Sequence, residues 1–468
     1  RGDGGDGDGG APAPERDWEL DAALQESAEP LEEGKIPGVK QPKMGWGNFF
    51  GLLAHLGVDT NNGGDVVNLA WLWTEMPKAI QAMMDTVQAD GKPDLLIYNH
   101  LMVNVAAVMW RRHGVRTLFA NLGLEFHFAP NGLDSFNRKT LSAFDKAIVQ
   151  PMLGMAPVAE MTEKEFAALY FSPDRLLGTT ELIKEVLPVR DREVYKDWAF
   201  TGFWVPDEEQ QQQMDDAEAF GGPEVQRRLK DFLNKGSRPV YLGWGSMPVS
   251  AKLLVVAITA LRSLSLRAVV AKGWSHADLG MLQWIGTVGY ETSGVRISRS
   301  EVASLCRYAE RSVLFVDQAP HEWLFPRCSC TVHHGGAGTT AAALRAGVPT
   351  IVVPVAYDQP YHGDWVSRLG VGIKASHFTY IGTSELVAAL RRATSDRGMK
   401  EKAKDIAEAL RKEPGVAAAA RRVCQVIRDD VRSGDAKARW EREEAMRRSS
   451  AGSVSDTAAS GALGEEAL

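Results

Sequence analysis

The chain has 468 residues and only four cysteines, Cys306, Cys328, Cys330 and Cys424. That is too few for a disulfide scaffold, and it suits a reducing compartment. Cys328 and Cys330 are one residue apart on an expected strand, so they face the same way. No second Cys/His pair stands at a zinc-ligand spacing, so they read as packing residues and no metal site is expected. Positive charge is not in excess, with 53 Lys and Arg against 60 Asp and Glu. The net charge of −7 argues against a general nucleic-acid binder. No apolar run approaches the ~18 to 20 residues that a membrane helix needs. A local patch touching a membrane stays compatible with this, so the expected location is cytoplasmic, with peripheral membrane contact. The chain opens on Arg1 with no signal peptide before it, and it reads as a fragment, a processed product or an incomplete gene model.

What remains is ordinary for a globular protein, with 44% hydrophobic and 24% charged residues and a length that suggests two or three domains. Six of the first ten residues are Gly, and residues 1–34 carry eleven acidic side chains against two arginines. Such a segment cannot bury enough apolar surface to offset its chain entropy, so 1–45 is expected to be disordered. A first domain is expected over 46–205, a polar linker over 206–237, a second domain over 238–431, and a disordered or helical tail over 432–468.

Helices are expected at 47–56 and 66–87, the second with Val67, Leu69, Leu72, Met76, Ile80, Met83 and Val87 at helical spacing. Strands at 94–98 and 117–120 flank a helix at 103–112. Residues 135–170 read as helical, and 174–187 and 197–203 as the last pieces of this half. The second half repeats the rhythm, with strands at 239–242, 267–271 and 313–316. It closes on helices at 384–393, 399–411 and 417–431. Alternating strand and helix means α/β architecture with parallel, doubly wound sheets.

The stretch from 313 to 370 organises the chain. A β-branched run ends in His333-His334, followed by Gly335-Gly336-Ala337-Gly338-Thr339-Thr340 and a small-residue helix. A strand, a glycine turn and a helix N-terminus together favour an anion, and a diphosphate is the obvious guest. A bland joining turn is the competing reading. A nicotinamide site is another, since Gly336 to Ala341 fits G-x-G-x-x-A and Asp358 lies downstream. That fingerprint usually opens its domain, however, and gives paired histidines no role.

The runs Val316-Asp317-Gln318-Ala319-Pro320-His321, His333-His334-Gly335-Gly336-Ala337-Gly338-Thr339-Thr340 and Asp358-Gln359-Pro360 resemble the sugar-nucleotide signature of UDP-glucose:sterol 3-β-glucosyltransferases. Weaker similarity covers roughly residues 90 to 425. The resemblance implies a GT-B fold, in which two Rossmann-like domains face each other across a cleft, and inverting transfer without a cofactor. UDP-glucose would be the donor substrate, and a sterol or similar lipid alcohol the acceptor.

It also implies roles. His334, Gly336, Gly338, Thr339, Thr340 and Ser246 would bind the diphosphate in place of a metal. Asp358 and Gln359 would hold the glucose hydroxyls, since a carboxylate and an amide can bridge adjacent OH groups. Val316, His321 and Trp274 would lie against the nucleobase. Phe126 and His127, after the strand at 117–120, are acceptor candidates. The family's catalytic base sits on a glycine-rich loop after the first strand, and this sequence shows no such strand and loop. Asp3, within Arg1-Gly2-Asp3, is not assigned to that role. A catalytically incomplete UDP-sugar or lipid-binding protein is therefore the alternative reading.

Overall fold

The computed structural model describes residues 63–99, 102–122, 141–142, 145–162, 165–166, 175–186, 199–205, 217–245, 247, 250–273, 277–288, 295–355 and 358–461. The expected helix at 47–56 lies outside them. The first half begins with helix α1 (Gly63–Asp90), strand β1 (Leu95–Tyr98), helix α2 (Val103–His113) and strand β2 (Arg116–Asn121). With β3 (Arg175–Leu177) these strands form a parallel sheet of order β1-β2-β3. α2 stops where Gly114 adopts a left-handed conformation and bonds back to Trp110, after a last turn of Arg111, Arg112 and His113 that suits the helix dipole. Its Val105, Val108 and Met109 pack with Phe119 of β2 and Ile80 of α1.

One expectation for this half changes in the structure. Residues 145–160 form short pieces and not one helix: a π-turn (Asp145–Val149) runs into Gln150–Leu153, left-handed Gly154 ends that piece, and Pro157 opens the next. Among the described residues that follow, Phe200 bridges Leu177, and the N–H groups of Thr201 and Gly202 bond to the carbonyls of Leu177 and Thr179. Gly202, at φ +84°, then turns the chain away.

The second half runs α3 (Pro223–Asn234), β4 (Val240–Gly243), α4 (Ala251–Ser263), β5 (Ala268–Ala271), α5 (Leu279–Val288), α6 (Arg299–Ser312) and β6 (Val313–Val316). It continues with β7 (Cys330–His333), α7 (Ala337–Ala346), β8 (Thr350–Val352), α8 (Gln359–Arg368), β9 (Gly372–Lys374), α9 (Thr383–Ser395) and α10 (Arg397–Arg411). The sheet order is β6-β5-β4-β7-β8-β9, parallel throughout. In order of occurrence that is 3-2-1-4-5-6, the doubly wound arrangement, with its reversal between β4 and β7. Alternation along β4 separates two cores. Leu242 packs with residues of α4, α5, α6 and α9. Tyr241 faces Leu229 of α3 and Ala342 and Ala343 of α7. Ser250, Ser298 and Asp396 cap α4, α6 and α10 through their side chains.

The chain then returns to the first half. α11 (Val416–Val426) continues through a π-turn (Ile427–Val431) into α12 (Asp435–Gly461). Val426 packs with Leu118 and Leu176. Asp430 accepts from Arg116 Nε at 2.5 Å and from both terminal nitrogens of Arg439 at 2.7 and 2.8 Å. A helix solvated all round is the most the sequence suggests for this tail, yet α12 is docked. Trp440 donates to the Arg111 carbonyl at 3.2 Å, and Trp110 donates to Glu443 at 2.8 Å. Left-handed Gly114 makes room, because a Cβ there would lie 2.8 Å from the Trp440 ring.

Hydrogen bonds from Arg439, with Arg116 adding charge, hold the Asp430 carboxyl down from 3.8 to about 2. A depressed carboxyl contributes stability above its unfolded pKa and loses it as pH falls through the folded value, here between about pH 4 and pH 2. Arg439 is partly exposed, so screening trims the effect. Asp430→Asn should therefore cost about 1 to 2 kcal/mol at pH 7 and only a small part of that at pH 2, where the carboxyl is about half protonated. Urea unfolding at the two pH values checks this, and an equal loss at both would refute the ion-pair account.

Candidate functional site

All strands of the second sheet run the same way, so their C-terminal ends share one edge. β4 and β7 are neighbours there, with Gly243 opposite His333. The chain leaves β4 through Trp244-Gly245 and β7 through His334-Gly335-Gly336, and the two exits touch. A Cβ built on Gly245 would lie 3.1 Å from the His334 ring. Gly335 sits at φ +92°, and its Cβ would meet Val352 Cγ1 at 2.6 Å and the Gln359 carbonyl at 3.0 Å. A Cβ at Gly336 would meet His334 Nε2 at 2.4 Å. Side chains are thus excluded from the turn, and the backbone forms its surface.

Gly336 is the N-cap of α7 and offers no side-chain cap. The first bond within the helix runs from the Thr340 N–H to the Gly336 carbonyl at 2.9 Å. The N–H groups of Ala337, Gly338 and Thr339 are those the helix leaves open. Gly338 is exposed, and a Cβ there would meet no atom within 4 Å. Thr340, expected from the sequence to be an anion donor, is not placed to act as one through its backbone. Its N–H is already engaged, its side chain is fully buried, and its Oγ1 has no hydrogen-bond partner.

The two histidines divide. His333 is wholly buried, with Nδ1 accepting from the Gly335 N–H at 3.0 Å and Nε2 2.8 Å from Thr350 Oγ1. A neutral imidazole has one donor, so Nε2 carries the proton and donates to Thr350. Burial holds His333 well below its usual pKa, with the neighbouring imidazoles adding to the effect. His334 is 8% exposed, and its Nδ1 is buried without a hydrogen-bond partner. Its pKa falls from 6.5 to about 4, mainly by burial, although the Gly243 backbone raises it in part. At neutral pH it presents an uncharged ring beside the open N–H groups.

Asp358 is the N-cap residue of α8 with a partly buried carboxyl. Burial raises its pKa, and nearby His362 opposes the shift. Gln359 is almost fully buried. Its Oε1 accepts from the Val355 N–H at 2.7 Å, and its Nε2 donates to Met247 Sδ at 3.3 Å. Sequence reasoning missed His362, one helical turn beyond Asp358, whose Nδ1 lies 2.6 Å from the Gly335 carbonyl.

Near the ends of β5 and β6, His321 stacks on Phe325 with ring centres 4.5 Å apart, and its Nε2 is 3.0 Å from the Tyr241 hydroxyl. Burial lowers its pKa to about 4. The Val316 side chain is buried, and its carbonyl accepts from the Lys272 N–H at 2.9 Å. Ser246, Trp274, Phe126 and His127 lie outside the described residues. Among the described residues, no group of three or more His, Cys, Asp or Glu is arranged to hold a metal ion.

Two solved structures share this architecture. The glycosyltransferase of kitacinnamycin aligns with a TM-score of 0.52 at 16% identity, over 78% of this chain and 82% of that chain. The calicheamicin glycosyltransferase aligns with a TM-score of 0.50 at 14% identity, over 79% and 82%. The fold is GT-B. Within this GT-B chain, residues 297–426 match the C-terminal domain of erythromycin biosynthesis protein CIII-like proteins. The chain is similar to a sterol 3-beta-glucosyltransferase of Arabidopsis thaliana, 35% identical over 193 residues, and to that of Saccharomyces cerevisiae, 32% identical over 226 residues. The matched stretches make up 41% and 47% of this chain but 26% and 16% of those relatives.

The glycine geometry gives opposite expectations for two alanine substitutions. Gly335→Ala should cost about 1 to 3 kcal/mol through backbone strain and overlap with Val352. Gly338→Ala should gain about 0.5 to 1 kcal/mol, since a helical glycine with open space around it gives only entropy away. Denaturant unfolding of both variants checks the pair, and equal effects would contradict the described turn.

Proposed function

We propose that the chain transfers glucose from UDP-glucose to the hydroxyl of a sterol or similar lipid alcohol, with inversion at the anomeric carbon. The observation that carries this is the glycine turn at the reversal between β4 and β7. It joins open N–H groups of α7 to the neutral ring of His334. The 32–35% identity to sterol 3-beta-glucosyltransferases supports the donor and acceptor classes. In this reading residues 238–431 hold the donor, residues 46–205 meet the acceptor and 206–237 link them. Among the described residues, no helix is long and apolar enough to cross a membrane, and a lipid acceptor would be met at a membrane surface.

The acceptor oxygen attacks the anomeric carbon as the bond from that carbon to the diphosphate oxygen breaks. The acceptor proton goes to a base, and the electron pair leaves with UDP. Negative charge grows on the departing diphosphate. The N–H groups of Ala337, Gly338 and Thr339 and the positive end of the α7 dipole act on that charge. His334 adds one neutral donor. Asp358 then holds the glucose hydroxyls, and Gln359 shapes the loop that carries it. The G-x-G-x-x-A pattern begins after the fourth strand of its sheet, not the first, which speaks against a nicotinamide cofactor.

Incubation with UDP-glucose and mixed sterols, followed by mass spectrometry of the lipids, should reveal a hexose-shifted sterol. Bound UDP without product would support a binding protein in place of an enzyme. Asp358→Ala should weaken UDP-glucose about tenfold or more and leave UDP within about twofold, because UDP lacks the sugar. His334→Ala should weaken both about equally. Calorimetric titration separates these outcomes, and an equal loss of both ligands in Asp358→Ala would remove that residue from the sugar site.

A further inference from the structure

We propose that His362 is a positioning residue that locks the peptide between Gly335 and Gly336, and so aims the turn at the donor diphosphate. The proposal rests on the donor reading above. His362 is 3% exposed, and its Nδ1 lies 2.6 Å from the Gly335 carbonyl oxygen. A carbonyl only accepts, so Nδ1 carries the proton and donates. The peptide unit is planar and trans, so the Gly335 oxygen and the Gly336 N–H point in opposite directions from one rigid plate. Holding the oxygen therefore sets the direction of the Gly336 N–H, the first in the series that leads into α7.

That plate needs a lock. It lies between two glycines, the residues least able to resist a peptide flip through their own sterics. Its N-terminal side is fixed by the Gly335 N–H bond to His333, and its C-terminal side by the Thr340 N–H bond to the Gly336 carbonyl. His362 is the side chain that holds the plate itself. The same residue ties the turn to the start of α8. The His362 N–H bonds to the Asp358 carbonyl at 3.1 Å, and the Asp358 carboxyl is 3.7 Å from His362 Nδ1. The diphosphate turn and the sugar-facing N-cap thus share one anchor, which fixes their spacing.

The test compares His362→Leu, His362→Asn and His362→Gln in the full chain. An Asn amide nitrogen stands close to the Nδ1 position, whereas a Gln amide reaches toward Nε2. Hydrogen exchange at Gly335 and Thr340, whose bonded N–H groups flank the plate, read without ligand, should accelerate about tenfold in the Leu variant and stay near wild type in Asn. UDP titration should show about tenfold weaker binding for Leu and Gln, with Asn within about threefold of wild type. If the Leu variant fails to fold, the comparison of Asn with Gln decides. Unchanged exchange in Leu, or an Asn variant no better than Gln, overturns the lock. Wild-type protein that does not bind UDP would defeat the donor reading alone, because the exchange result stands without ligand.

Discussion

The site depends on one pairing, β4 beside β7. At the reversal the chain leaves in opposite directions, α4 to one core and α7 to the other. In doubly wound sheets the ligand crevice lies outside the strand ends at such a reversal. Among the described residues, the proposed diphosphate contacts lie on the β7 exit, and the β4 exit forms the opposing wall at Gly245. Neither exit alone would make a site. A glycine turn on an edge strand would carry the same open N–H groups with water on all sides, where their attraction for an anion is weak.

Close packing at this crevice also explains the chemistry of its histidines. A protonated imidazole would be the stronger anion contact, yet burial keeps His321, His333 and His334 neutral. Under the proposed function, the arrangement would trade strength in the empty site for contrast during reaction. Neutral donors and a helix terminus would gain most as charge builds on the leaving group, and such a difference is what accelerates a reaction. His333 stands outside this trade. Its two nitrogens are used by Gly335 and Thr350, so its part is to hold β7 against β8 and brace the turn.

Much of the fold is legible in the sequence, for physical reasons. The strands β4 to β6 are short apolar runs rich in valine, and most expected boundaries of the second half lie within two residues of those observed. The helices α5 and α8 are less visible. α5 carries Gly280 and Gly286 and little charge contrast, so no clear periodicity marks it. α8 opens on Gln359-Pro360, and that polar start suits a ligand loop as well as it suits a helix. The glycine turn can be placed because glycine is needed wherever backbones touch. His362 cannot, because a buried histidine bonded to a distant carbonyl leaves no local signature. The docking of Trp440 is hidden for the same reason, since it depends on space at Gly114, more than 300 positions earlier.

Gln359 shows where residue type misleads. An amide beside a carboxylate suits a polyol, and that chemistry alone would assign it to glucose. In the folded chain its oxygen holds the Val355 N–H and its nitrogen meets Met247, so it spans the exits of β8 and β4 from inside. Turning it outward would strand the Val355 N–H and break the tie to Met247, a cost of about 1 to 3 kcal/mol against one new bond to a sugar hydroxyl. The partly exposed Asp358 carboxyl is less tied, with His362 Nδ1 3.7 Å away, and in the proposed function it is the one that accepts from a sugar hydroxyl. In the proposed function, adjacent residues of favourable chemistry would thus take different work, Asp358 touching the ligand and Gln359 setting the loop that makes contact possible.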